Sequence, residues 1–463
     1  MGWRARPGPR ERASTNAPAA QGSLRSLATA ALAPALQPGR WSRVLIFLLA
    51  VPVLAGIAAY GYQVANGLEV TGLNDDVFWG LYTVNLVTLI GLSYGGALVS
   101  AILRLTDANW RGPIVRIAEG TALVTLAVGA LFPIIHLGRP DRMWEMFTRP
   151  QFDSPLLWDM VAILTYLLAT LLLFGLPLLP DCADASQRSD VSGWRRRLYS
   201  WAAADWQDLP EQRRILRRSM TILAIVIIPV AIMVHTVLSY AFSLTSRPGW
   251  HSTIFGPYFV VAAIYSGVAV VILAAVAYRR AYRLQRWITD EAIRRLGYIL
   301  VTLGVAYGYF MFTEITTEGY VGEEAADALL YVMMLDRYAP LFWTFVALGL
   351  AIPTLLVAFR RTRTTTGITV AAGLVVVSMW LKRFLLIVPP LTQPLFGDAI
   401  GGYSPSWVEW TITLGSVAAI PLLLILLFRV FPVLAVHEMQ EIEADADARS
   451  GQPIVVTSVG GSP

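Results

Sequence analysis

The chain has 463 residues, 56% of them hydrophobic and only 14% charged, with a formal net charge of +5 and a mean hydropathy of +0.57. A soluble domain carries roughly 25% charged residues, so a water-soluble globular fold is excluded. The apolar residues run on for about twenty at a time, the length that crosses a hydrocarbon core of about 30 Å, and the short alternating strands of a membrane β-barrel are missing.

Residues 1–40 are rich in Arg, Pro, Ala, Gly and Ser. No apolar stretch follows the start closely, so a cleaved signal peptide is not expected. Residues 1–43 read as a disordered basic tail. Ten membrane spans follow, at about 44–62, 77–102, 115–137, 156–178, 219–243, 254–279, 294–313, 340–359, 367–388 and 407–433. They predict an all-α polytopic membrane domain over 44–435. The polar segment 436–463 begins with EMQEIEADADAR and ends in Gly, Ser and Pro, which predicts a short helical extension and a disordered end.

The connections sort by charge. The first is acidic (Glu69, Asp75, Asp76), as is the seventh (Glu314, Glu318, Glu323, Glu324, Asp327). The second, fourth, sixth and eighth are rich in arginine. Basic loops stay on the cytoplasmic side, so both termini and the even connections are expected there. This placement also explains the net positive charge without nucleic acid. The third connection is the exception, with Arg139, Arg142 and Arg149 set against Asp141, Glu145 and Asp153. The fourth connection contains WRRRLYSWAAADWQ, a tryptophan–arginine mixture that suits a helix lying in the lipid interface.

One cysteine, Cys182, and four histidines, His136, His235, His251 and His437, limit the metal chemistry. A single thiol holds neither an iron–sulfur cluster nor a structural zinc site, and C-x-x-C-H for covalent haem is absent. No metal site is expected in the chain. A b-type haem between His136 and His235 is disfavoured, because the two positions lie roughly 7 Å apart along their helices.

Ionisable side chains inside a span are costly and face the protein interior or water. Six are candidates: Glu119, His136, Asp159, His235, Lys382 and Arg383. His136 ends the third span, where Gly138 and Pro140 stop the helix. Ser154 and Pro155 open the fourth as N-cap and first helical residue, so Asp159 lies one turn deep at the same face. A neutral imidazole and a carboxylate can each take a proton from a hydroquinone hydroxyl, which is general-base chemistry. The plain alternative is an interfacial histidine and a helix-start aspartate making local bonds. Lys382 and Arg383 either snorkel to headgroups or face inward toward Asp159 or Glu314. Glu119 fits a cytoplasm-facing position or a proton path, and His235 a core hydrogen bond or a proton relay.

HLGRPDR followed by SPLLWD resembles the quinol-binding membrane subunits of the NrfD/polysulfide-reductase family. It is similar above all to the branch found in alternative complex III. The stretch WHSTIFGPYF, the long fourth connection and the ten spans carry the same likeness over roughly 44–435. The resemblance implies two four-helix bundles plus flanking helices, with no haem or iron–sulfur cluster in this chain. It implies a quinol site, menaquinol in many members, at His136 and Asp159, with Arg139 and Trp158 as flanking motif positions. The implied partners are an extracytoplasmic iron–sulfur subunit, several c-type haem subunits, a homologous ten-helix membrane subunit and lipid. The implied location is a bacterial inner membrane, with electrons passing to a cytochrome c-type acceptor in a respiratory or photosynthetic complex.

Three function classes remain open on the residues. The first is a quinol-oxidising subunit, with or without proton translocation along Glu119, His235, Lys382 and Arg383. The second is a homologous non-quinol subunit or ion-coupled transporter, which would use the same buried charges. The third is an anchor for soluble partners, which the GWHSTIFGPY loop with its aromatics exposed would suit.

Overall fold

The computed structural model describes residues 26–36, 39–394 and 401–450. Among them are ten helices long and apolar enough to cross a membrane, and no strand. They are α1 (Arg40–Asn66), α2 (Leu81–Leu105), α3 (Gly112–His136, interrupted after Gly129), α4 (Pro155–Gly175) and α5 (Pro210–Ser243). The second half holds α6 (Phe255–Ala281), α7 (Asp290–Val321), α8 (Ala339–Ala358), α9 (Thr365–Thr392) and α10 (Trp407–Val430).

Helices α2 to α5 close one four-helix bundle, each packed against the next and α5 back against α2. Helices α6 to α9 close a second in the same order, and α6 joins the two along α2 and α5. The flanking α1 and α10 pack on each other, with α10 against α3. In the most apolar stretch of α2, 89% of residues are buried, against 11% in α1. Helix α2 is therefore the centre of the protein and α1 its lipid-facing edge.

Glycine allows the two bundles to meet so closely. A Cβ on Gly95 of α2 would lie 2.3 Å from the backbone of Gly267 of α6. Small residues drive membrane helices together because they let backbones touch and maximise dispersion contact. In α8, Pro353 has no N–H for the Gly349 carbonyl. The helix widens to a π turn over Val346–Ala351, and Tyr265 of α6 donates its hydroxyl to Gly349 at 2.8 Å.

The even connections and the helix Val436–Ser450 share one end of the bundles, the basic face; the odd connections share the other. Helix α5 begins nine residues before its expected start. Its exposed first turns are held by ion pairs of Arg213 with Asp208, Arg214 with Glu211 and Arg217 with Glu441. Between α4 and α5, the expected interfacial helix forms at Gly193–Ala202. It presents Trp194 and Trp201 outward and anchors itself through Tyr199, which donates to the Val430 carbonyl at 2.5 Å.

Two expectations are corrected. The amino-terminal segment is not a tail throughout: within residues 26–36, Leu27, Ala31, Leu32 and Ala35 are buried in the core. The Ala31 carbonyl there accepts from the Val433 amide at 2.9 Å. The alternating Ala and Leu of that stretch bury an apolar face although it is too short to span a membrane. Residues 1–25 and 451–463, expected to be disordered, lie outside the described residues. The aromatics of GWHSTIFGPY are not exposed: Trp250, Phe255 and Tyr258 are all buried. Trp250 stacks on Trp79 at 5.7 Å and donates its indole N–H to the Leu386 carbonyl at 2.7 Å. The loop packs the two bundles together instead of presenting an aromatic surface.

Candidate functional site

The local sequence builds the site at the face of the odd connections. Helix α3 breaks after Gly129 and resumes as the short turn Phe132–His136, with Pro133 in its first turn. Gly138 then takes the left-handed conformation, φ +66°, a region open to glycine at no steric cost. Helix α4 opens with Ser154 in an extended conformation and Pro155 at the first helical position. The expected Ser154 side-chain cap is not formed; its carbonyl accepts from Leu157 and Trp158 instead.

His136 and Asp159 line the same cavity, of about 210 Å³. Its walls are aromatic and apolar: Trp79, Tyr82, Phe132 and Phe242, with Met143, Met146, Met160 and Leu238. Four elements of the first bundle contribute, and Trp250 backs the Trp79 wall from behind. Leu137 and Leu156 line the cavity and are also exposed, at 40% and 55%. The mouth therefore opens sideways between the end of α3 and the start of α4.

Two ionisable side chains, Asp159 and His136, line this apolar chamber. Asp159 is buried, and its Oδ1 has no hydrogen-bond partner. An unpartnered buried carboxylate oxygen is costly and marks a place where a donor is missing. The His136 ring sits edge-on to Tyr82, centroids 6.2 Å apart. A neutral imidazole keeps one ring nitrogen as an acceptor.

Arg139 and Trp158 do not line the cavity. Arg139 is exposed and ion-paired with Asp141 at 3.0 Å, which holds the Asp141 carboxyl below its usual range. Trp158 donates to the Phe152 carbonyl at 2.5 Å. Sequence reading missed Tyr82, Trp79 and Phe242 as walls. They come from α2, its preceding loop and α5, and only the fold brings them to the motif.

The remaining intramembrane charges fall in two other places. His235 is 1% exposed; its ring packs on Tyr94 at 4.3 Å, and both nitrogens lack partners. It lines a small cavity of about 30 Å³ with Tyr258, Tyr307, Lys382 and Arg383. Lys382 reaches a second small cavity that contains Glu314 and Glu318. Arg383 donates to the Met379 carbonyl at 3.1 Å and to Ser266 at 3.0 Å. The snorkelling alternative for this pair is overturned: both are buried, about 14 Å of helix short of Thr392. Lys382 faces Glu314, and Arg383 faces His235 and Ser266; neither faces Asp159. His136 and His235 line separate cavities.

Glu119 belongs to a third cluster, at the basic face. It is fully buried, not open to water there. It accepts from Ser100 at 2.7 Å and from Arg104 at 2.9 Å. Arg104 and Arg111 also grip Glu438 of the carboxyl-terminal helix, at 2.9 and 3.0 Å. Arg116 pairs with Asp181 at 2.7 Å, and Asp181 accepts the His437 amide at 2.9 Å. Among the described residues no group of His, Cys, Asp and Glu is arranged to hold a metal ion.

Fold and site together define a class: a helical membrane protein with ten helices able to span, and an aromatic cavity that holds a histidine and a carboxylate. The profile of the family described as "Polysulphide reductase, NrfD" matches residues 69–394, so the chain belongs to the NrfD polysulphide reductase family. It is similar to a membrane subunit assigned to dimethyl sulfoxide reductase in Halobacterium salinarum, 26% identical over 85% of this chain and 91% of the relative. It is similar to a selenate reductase subunit of Mesobacillus selenatarsenatis, 23% identical over 83% and 93%. The Hdr-like menaquinol oxidoreductase integral membrane subunit of Archaeoglobus fulgidus is 24% identical over 84% and 95%. The chain is therefore related to membrane subunits of reductase and quinol oxidoreductase complexes.

Proposed function

We propose that the chain is the quinol-oxidising membrane subunit of an electron-transfer complex of the alternative complex III type. The observation that carries the reading is the unpartnered buried carboxylate oxygen of Asp159 in the same aromatic cavity as His136. The substrate is a quinol, menaquinol by likeness to the relative named for it. Its ring lies between the aromatic walls, and its isoprenoid tail leaves through the mouth between α3 and α4.

Oxidation of a hydroquinone to a quinone releases two protons and two electrons. The Asp159 carboxylate accepts one hydroxyl proton and the free nitrogen of His136 the other, each as a general base. The Tyr82 ring packed edge-on against the imidazole limits the directions in which His136 presents its acceptor. The apolar walls keep bulk water out, which strengthens both hydrogen bonds. The electrons leave to a redox centre of a partner, since one cysteine cannot ligate a cluster. We assign that role to an extracytoplasmic iron–sulfur subunit passing electrons to c-type haems. The basic face is then cytoplasmic, by its arginine loops.

A second reading concerns proton movement. The line Glu318, Glu314, Lys382, Arg383 and His235 runs through two small cavities. It holds buried titratable groups near cavities that can take water, the elements of a relay. Glu119 at the basic face extends the reading to the other side.

The test is quinol-dependent reduction of the native acceptor by the purified complex. Asp159→Asn and His136→Ala are expected to abolish it with the subunits still assembled. Unchanged rates would move quinol oxidation elsewhere. For the relay, Lys382→Met and His235→Leu are expected to spare turnover and lower proton release into vesicles.

A further inference from the structure

A buried glutamine on the lipid-facing helix is the second observation that bears on the cavity. Only 11% of the most apolar stretch of α1 is buried, yet Gln63 near its end is 2% exposed. Its amide bridges two elements of the site. Nε2 donates to the Ile135 carbonyl at 2.8 Å, and Oε1 accepts the Tyr82 hydroxyl at 2.5 Å. The two partners fix the amide's orientation, because a carbonyl oxygen can only accept.

Each bond bears on His136. The carbonyl of Ile135 lies in the last turn of α3, where helix-end carbonyls lack intrahelical partners. The next donors along the chain are used elsewhere: Leu137 donates to Ile134 and Arg139 to Leu137. Gln63 thus holds the peptide directly before His136. The phenol of Tyr82 is the other anchor, and its ring packs against the imidazole edge. Gln63 itself does not line the cavity, while Tyr82 and His136 do.

We infer that Gln63 is a positioning residue for the site: from the flanking helix it fixes the last turn of α3 and the Tyr82 ring, and through them the imidazole of His136. The inference rests on the quinol reading and adds α1 to the machinery. It gives a helix outside both bundles a task beyond packing. A side-chain amide is used because it supplies one donor and one acceptor at once.

The experiment compares wild type, Gln63→Leu, Tyr82→Phe, the Gln63→Leu/Tyr82→Phe double variant and His136→Ala in the purified complex, with menaquinol analogue as substrate. Gln63→Leu is expected to lower kcat about tenfold, the scale of one lost buried hydrogen bond, with KM moved less than about twofold. Tyr82→Phe removes one hydroxyl and keeps the ring, so it holds the test if Gln63→Leu fails to assemble. It is expected to lower kcat about threefold. The double variant is expected to be no slower than Gln63→Leu alone, since both break one chain of contacts. A purely structural role would instead lower assembly and leave kcat per assembled complex unchanged. If His136→Ala loses turnover while Gln63→Leu and Tyr82→Phe retain wild-type kcat, the positioning role is overturned and the quinol site stands. If none of the variants alters turnover, the quinol reading falls, and the positioning role with it.

Discussion

Asp159 and Glu119 are both buried carboxylates in the first bundle, at opposite ends, and they keep different company. Glu119 is 0% exposed; its Oε1 accepts from Ser100 and from Arg104, and its Oε2 has no partner. Asp159 is 6% exposed and also has an oxygen with no partner, but it faces an aromatic cavity, and no arginine pairs with it as Arg104 pairs with Glu119. A carboxylate already neutralised by arginine has little left to offer a ligand, and its removal strands the arginine. A carboxylate without an ion-pair partner contributes little to stability and is free to take a proton. The contrast separates an anchoring carboxylate from the one the quinol reading makes reactive.

The largest expected effect tests the reactive end. Asp159→Asn should lower quinol turnover at least about 100-fold, the usual size of a general-base contribution. The melting temperature of the complex should not fall. If instead Glu119→Gln stops turnover and Asp159→Asn does not, the comparison is inverted.

Next comes the anchoring end. Glu119→Ala leaves the guanidinium of Arg104 short of a partner inside the protein. The expected cost is about 3–5 kcal/mol of stability, read as faster thermal inactivation. Turnover per assembled complex should stay within about twofold of wild type.

A smaller effect is expected at Glu438, which ties the carboxyl-terminal helix to Arg104 and Arg111. Glu438→Ala should cost about 1–3 kcal/mol. Cys182 offers an independent readout. Burial pushes its thiol up to about 12, so it stays protonated below that pH and its maleimide labelling should remain negligible from pH 7 to 9. Glu438→Ala should raise the labelling rate if the helix is a clamp over that region. Equal labelling in both proteins would count against the clamp.

The smallest effects sharpen the boundary of the site. Arg139 is engaged with Asp141 on the surface, and Trp158 with Phe152. Arg139→Gln and Trp158→Phe should each change kcat and KM by less than about twofold. A tenfold loss in either would extend the site beyond the cavity.

Much of this was legible in the sequence because membrane physics is one-dimensional along each span. Apolar length set the ten helices, and arginine-rich loops sorted the two faces. Gly138 and Pro155 marked the helix ends that bring His136 and Asp159 to one depth. What the sequence hid depends on the faces of helices and on contacts between distant segments. Lys382 and Arg383 fit headgroup anchors by position, yet α9 turns them into the second bundle; Ser378, one turn before Lys382 and also buried, was the available signal. Trp250 sits among glycine, proline and serine, which read as exposed loop, and is buried because Trp79 and Phe242 pack on it. Glu119 pairs in a network reaching Glu438, more than three hundred positions away, which no local pattern reveals. Gln63 escapes a sequence reading because a lone glutamine near a helix end is usually solvated.

The central claim is that quinol loses its protons in the cavity between His136 and Asp159. The most direct test is photolabelling of the intact complex with an azido-quinol, followed by peptide mapping. The account predicts label on the segments holding Trp79–Leu86 and Met143–Ile163, competed by menaquinol analogue and weakened in Asp159→Asn. Label confined to helices α1 and α10, or to a partner subunit, would contradict it.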